Sequence, residues 1–170
     1  MKTLCLPLVA LCGMIFLFRA TATTYYVDVN STNPTPPYAG WSTAATNIQD
    51  AIFHSFSGDT VLVTNGIYQY GGASNSGSNR VYVVSPITLQ SVNGPAVTVI
   101  KGAWDAATNG PNAVRCVYLV NNAVLSGFTL TNGATPTSGS AGGVLCASPS
   151  CVVSNCIITG NAGVSGGGVY

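Results

Sequence analysis

Between residues 101 and 115 the chain gathers Lys101, Trp104, Asp105 and Arg115, in a sequence in which only 5% of residues are charged. An indole can stack on a sugar ring while a carboxylate and a guanidinium meet its hydroxyls. Trp104, Asp105 and Arg115 are therefore the candidate glycan-binding residues. As a catalytic set the group falls short. A glycosidase needs at least two carboxylates flanking the scissile bond, and a calcium-dependent polysaccharide lyase needs an acidic cage beside a basic proton acceptor. The acids here are Asp28, Asp50, Asp59 and Asp105, far apart in the chain, and there is no glutamate. Asp50 stands four residues before His54, the spacing of a solvated pair on a helix face. Asp59 closes a Ser57-Gly58-Asp59 turn, and Asp28 ends a short strand. No catalytic, metal or cofactor site is assigned, and the plain alternative for residues 101–115 is a salt-bridged loop with a packed tryptophan.

Cys116, Cys146, Cys151 and Cys156 form no Cys-x-x-Cys pair and have no histidine close in sequence, a poor pattern for zinc. Cys146 and Cys151 flank Ala147-Ser-Pro-Ser150, a turn-like loop that they could staple. The connectivity stays open, and the other role for these residues, for Cys156 above all, is as small buried hydrophobes.

The segments that must position these residues begin with an address. Lys2, the apolar run from Leu4 to Phe18 and the small-x-small Ala20-Thr-Ala22 read as an export signal over residues 1–22. The run is short for a membrane span of about 20 residues, and no later stretch replaces it. The expected location is outside the cell or at the surface of the envelope or outer membrane, with no transmembrane span after signal cleavage. Removing the signal leaves Arg80, Lys101 and Arg115 against the four aspartates, one net negative charge. With no basic stripe to meet phosphates, nucleic acid is not an expected partner.

The chain is rich in Gly, Ser, Thr, Asn and Val, which favours pleated strands joined by left-handed corners. Residues 46–56 are the one good helix, with Thr46 as cap and Ile48, Ile52 and Phe56 on one face. From Thr60 onward the apolar segments are short and too close together for crossover helices. Val124-Leu-Ser-Gly-Phe-Thr-Leu-Thr-Asn-Gly133 returns 28 residues later as Val152-Val-Ser-Asn-Cys-Ile-Ile-Thr-Gly-Asn161, and Ala141-Gly-Gly-Val-Leu145 echoes in Ser165-Gly-Gly-Gly-Val-Tyr170. Such self-similarity means stacked coils, each strand parallel to its counterpart about 4.8 Å away. Leu125, Phe128 and Leu130 should face inward and pile on Val153, Cys156 and Ile158. A β-sandwich would need antiparallel hairpins and gives no reason for the repeat. The expected division is an N-terminal cap over 23–58 and about four coils over 59–170, the last broken off within a copy of the repeat.

The order of motifs resembles that of exported right-handed parallel β-helix proteins of the pectate-lyase-like superfamily. Tyr25-Tyr-Val-Asp28, Trp41-Ser-Thr-Ala44, Ile48-Gln-Asp-Ala51 and Ser57-Gly-Asp-Thr-Val-Leu-Val-Thr-Asn-Gly-Ile-Tyr68 look like their cap and first coil. Ser154-Asn-Cys-Ile-Ile-Thr-Gly-Asn161 with Gly166-Gly-Gly-Val-Tyr170 is similar to repeats of polymorphic outer-membrane proteins and autotransporter passengers. The resemblance implies an all-β, right-handed parallel β-helix with an N-terminal capping helix. For function it implies a secreted or cell-surface scaffold of adhesin type, non-catalytic as it stands, that meets a polysaccharide or the surface of a host or neighbouring cell. The alternative it leaves is the N-terminal part of a lyase or glycoside hydrolase whose active groove lies beyond residue 170.

Overall fold

The computed structural model describes residues 21–106, 108–136 and 139–170, so the export signal expected over 1–22 lies, except for its last two residues, outside the described residues. The chain opens with β1 (Thr24–Val27), a turn of 3-10 helix at Trp41–Thr43 and helix α1 (Ile48–His54). It then runs through β2 (Thr60–Val63), β3 (Gly66–Tyr68), the two-residue β4 (Ala73–Ser74) and β5 (Ser78–Val83). A second circuit follows with β6 (Thr88–Ser91), β7 (Thr98–Lys101) and β8 (Val114–Leu119). The third is β9 (Val124–Ser126), β10 (Thr129–Thr131) and β11 (Val144–Cys146). The fourth has β12 (Val152–Ser154), β13 (Ile157–Thr159) and a single bridge from Val169 to Val144.

These strands build three sheets, ordered β1-β2-β6-β9-β12, β3-β7-β10-β13 and β4-β5-β8-β11. Every strand pairing is parallel except the small β4–β5 hairpin. Each circuit visits the three sheets in the same order, an all-β arrangement with one short α-helix that is consistent with a β-solenoid.

The repeat in the sequence is the register of the sheets. Val124, Leu125 and Ser126 lie against Val152, Val153 and Ser154, and Thr129, Leu130 and Thr131 against Ile157, Ile158 and Thr159. The Ser126 and Ser154 hydroxyls, 28 residues apart, are 3.1 Å from each other. Strand alternation sends every second residue inward, so Leu89, Leu125 and Val153 form one column and Ile100, Leu130 and Ile158 another. Leu125, Phe128 and Leu130 are fully buried, as expected; Val153, Cys156 and Ile158 pack against the core but are only partly buried. Asn122 and Asn155 make their corners with φ of 60° and 48°, a region that asparagine tolerates better than most residues.

The cap differs from expectation in detail. Asn47, not Thr46, caps α1: its side-chain oxygen accepts from the Asp50 amide at 3.0 Å while its amide donates to the Asp50 carboxylate at 2.7 Å. The helix ends at His54, and Phe56 stands 74% exposed. Ser55 turns to extended backbone with its hydroxyl on the Ile52 carbonyl, and the Asp59 carboxylate takes the Phe56 amide at 2.8 Å. That capture pulls the chain off the helical path before Phe56 can join the inward face, which is Ile48, Gln49, Ala51 and Ile52. Gln49 works as a mock strand: its amide donates to the Tyr82 carbonyl at 3.0 Å and its carbonyl accepts from the Tyr82 amide at 2.7 Å. Gly66–Tyr68 form strand β3 directly after the Asn65 corner, and β5 begins at Ser78, three residues before the apolar run Val81–Val84.

Candidate functional site

The described residues of the segment 102–112 leave the stack between β7 and β8 and are held by their own backbone. Ala103 and Val114 bridge antiparallel at its base, and Asp105 bridges Thr108 and Asn109. The Asp105 carboxylate accepts from the Ala106 amide at 3.0 Å and the Asn112 amide at 2.8 Å, and its carbonyl accepts from the Gly110 amide at 3.1 Å. A Cβ at Gly110 would sit 2.5 Å from an Asp105 carboxylate oxygen, so any other residue there displaces that carboxylate. The Asn109 amide ties the loop to the next circuit through the Thr135 carbonyl at 2.7 Å. Trp104, next to this knot, is 48% exposed. The loop thus presents an indole beside a carboxylate whose two oxygens already hold backbone amides.

Arg115 belongs to a different environment. It pairs in register with Asn79 on β5 and points into the stack, where it is 1% exposed. All five N–H donors of its guanidinium are engaged. Nε donates to the Ala141 carbonyl at 2.8 Å; one terminal nitrogen donates to the Asn79 side-chain oxygen and to the Ser76 carbonyl at 3.4 Å; the other donates to the Ser140 carbonyl at 3.0 Å and to Ser76 at 3.4 Å. The Tyr118 ring lies 5.9 Å from the guanidinium carbon. Burial lowers the Arg115 pKa, and Tyr118 acts in the opposite direction. A buried cation is tolerated only when it is fully hydrogen-bonded, and here neutral carbonyls do that work in place of a carboxylate. The structure therefore keeps Trp104 and Asp105 together on the loop and separates Arg115 from them. A salt bridge from Asp105 to Arg115 is not what organises residues 101–115.

Lys101 contributes its carbonyl, which accepts from Arg80 Nε at 3.0 Å, while a second Arg80 nitrogen reaches the Gly71 carbonyl at 2.6 Å. Arg80 lines a shallow cleft of about 210 Å³ along the β4–β5 hairpin, a role with no signal in the local sequence. Another cleft, of about 270 Å³, lies between residues 21–23 and 56–59.

The remaining aspartates serve the backbone. Asp59 accepts from the Thr23 amide at 2.7 Å as well as from Phe56, which is the turn role expected of it, and Asp28 accepts from the Asn30 amide at 2.9 Å. Asp50 is taken up by Asn47, while His54 lies edge-on to Tyr38 with ring centres 5.3 Å apart. Among the described residues no three His, Cys, Asp or Glu side chains gather closely enough to hold a metal ion, and no helix is long and apolar enough to cross a membrane. Comparison with known proteins finds no matching family model, no matching curated protein and no matching solved structure. The geometry alone must carry the functional reading.

Proposed function

We propose that the protein is a secreted or cell-surface scaffold of adhesin type, wound as a right-handed parallel β-helix of the pectate-lyase-like kind, that binds rather than transforms its partner. One observation carries the reading: each of Asp28, Asp50, Asp59 and Asp105 is occupied by nearby backbone or capping groups. Asp59 and Asp105 each hold two backbone amides, which makes a carboxylate a poor proton shuttle, whereas glycoside hydrolysis demands a pair of acids free to exchange protons across the bond. The partner class is a polysaccharide or the glycan-bearing surface of a host or neighbouring cell. Trp104 supplies the stacking face, Asp105 fixes the loop that presents it, and Arg115 stiffens the circuits beneath.

The test is a panel of neutral and uronate-containing polysaccharides assayed with the full chain for binding, for reducing ends and for unsaturated products, with and without Ca²⁺. The expected result is weak binding that Trp104→Ala abolishes, and no turnover. Turnover that disappears in Asp105→Asn would replace the scaffold reading with that of a carbohydrate-active enzyme.

A further inference from the structure

The corner between β11 and β12 places two thiols over one corner of the circuit below. Cys146, the last residue of β11, pairs in register with Leu119. Cys151 immediately precedes β12, whose first residue pairs with Val124, so Cys151 stands over Ala123. Leu119 and Ala123 are both fully buried and bracket a tight turn closed by the Ala123 amide on the Val120 carbonyl at 3.2 Å. The cysteines take the same two places one layer on. Cys151 Sγ lies 3.1 Å from the Val120 carbonyl oxygen and 3.6 Å from that of Leu119, the residue on which Cys146 rests. Both side chains pack against the core and both remain partly accessible. Burial, then the neighbouring Cys151 thiol, pushes Cys146 up to about 11.

Among the described residues, the two remaining cysteines, Cys116 and Cys156, are out of reach. Val117 pairs with Val144, which sets Cys116 beside Gly143, three residues along the sheet from Cys146. At about 3.3 Å per residue that is roughly 10 Å, beyond the ~7 Å Cα separation that a disulfide spans. Its thiol is buried, bonded to the Thr131 carbonyl at 3.3 Å and pushed up to about 12, chiefly by burial. Cys156 lies past the far end of β12 with its thiol on the Ser154 carbonyl at 3.1 Å.

We infer that Cys146 and Cys151 are a built disulfide site that staples the Ala147–Ser150 corner when a small disulfide oxidant such as oxidised glutathione is present. A thiolate of the pair attacks the oxidant's S–S bond, forms a mixed disulfide and expels one glutathione thiolate. The second cysteine, as thiolate, then displaces the other glutathione. Two protein thiols are oxidised, one oxidant disulfide is reduced to two thiols, and each departing thiolate takes up a proton. The inference does not depend on the glycan-binding reading.

The experiment treats the folded, reduced full chain with oxidised glutathione at mildly alkaline pH, alkylates the remaining thiols and maps the peptides. The expected product carries a Cys146–Cys151 bond, with Cys116 and Cys156 alkylated only as free thiols. In Cys146→Ser, checked for fold by circular dichroism, the disulfide is lost and Cys151 retains glutathione. A bond from Cys156 to either residue, stable glutathione adducts on both, or Cys146 and Cys151 thiols that react only after denaturation would each overturn the site.

Discussion

The two ends of the stacked sheets use the same kind of strand and differ in what lies on them. At the N-terminal end Val61 and Val63 are fully buried because β1 lies in register over β2, and the Gln49 side chain of α1 completes the edge of β5 at Tyr82. At the other end β12 and β13 have a described neighbour on one side only, and their inward residues Val153 and Ile158 stay partly exposed. The alternation of the strand decides which way a side chain points; the layers on either side decide how deeply it is buried. Identical patterns in the sequence therefore carry different energies along the stack.

The largest effect should come from attacking the covered end. Ile52→Asp puts a carboxylate without a partner beneath the helix, where Ile52 is fully buried, and should cost several kcal/mol or abolish folding. Phe56→Asp, four residues on and 74% exposed, should leave the thermal midpoint nearly unchanged. Equal losses in the two variants would break the assignment of the inward face.

Arg115→Met tests the polar joint between circuits. It removes the donor to Asn79 and to the carbonyls of Ser76, Ser140 and Ala141 at once. Stranding several buried acceptors should cost about 3 kcal/mol in urea unfolding. A neutral result would mean that water or a rearranged hairpin replaces the guanidinium.

A third comparison stays within one column. Leu130→Ala, sandwiched between Ile100 and Ile158, should lose about 3 kcal/mol, while Ile158→Ala, with one described neighbour, should lose about 1 kcal/mol. If the two losses match, position in the stack does not govern burial.

What could be read from the residues follows the same division. The 28-residue register was legible because a slip of one residue would turn Leu125 and Leu130 outward, so the apolar pattern and the asparagine corners fix it together. Asp59 was legible because its turn is local. Helical spacing puts Phe56 on the inward face, yet Asp59, three positions beyond Phe56, captures its amide and ends the helix, and the spacing carries no sign of that capture. Closeness in sequence groups Arg115 with Asp105, yet the partners of Arg115 lie 25 to 39 residues away on other circuits. Which neighbour a strand meets across the stack is tertiary information, and a polar residue turned inward leaves no periodic mark.

The central claim is that successive circuits lie parallel and in register. Inter-strand nuclear Overhauser contacts in the isotope-labelled full chain test it most directly. The structure predicts amide-to-Hα contacts linking Val124 with Val152, Thr129 with Ile157 and Val99 with Thr129, in the slanted pattern of parallel strands. Close Hα-to-Hα contacts between any of these pairs, the mark of antiparallel strands, or a register displaced by one residue, would contradict it.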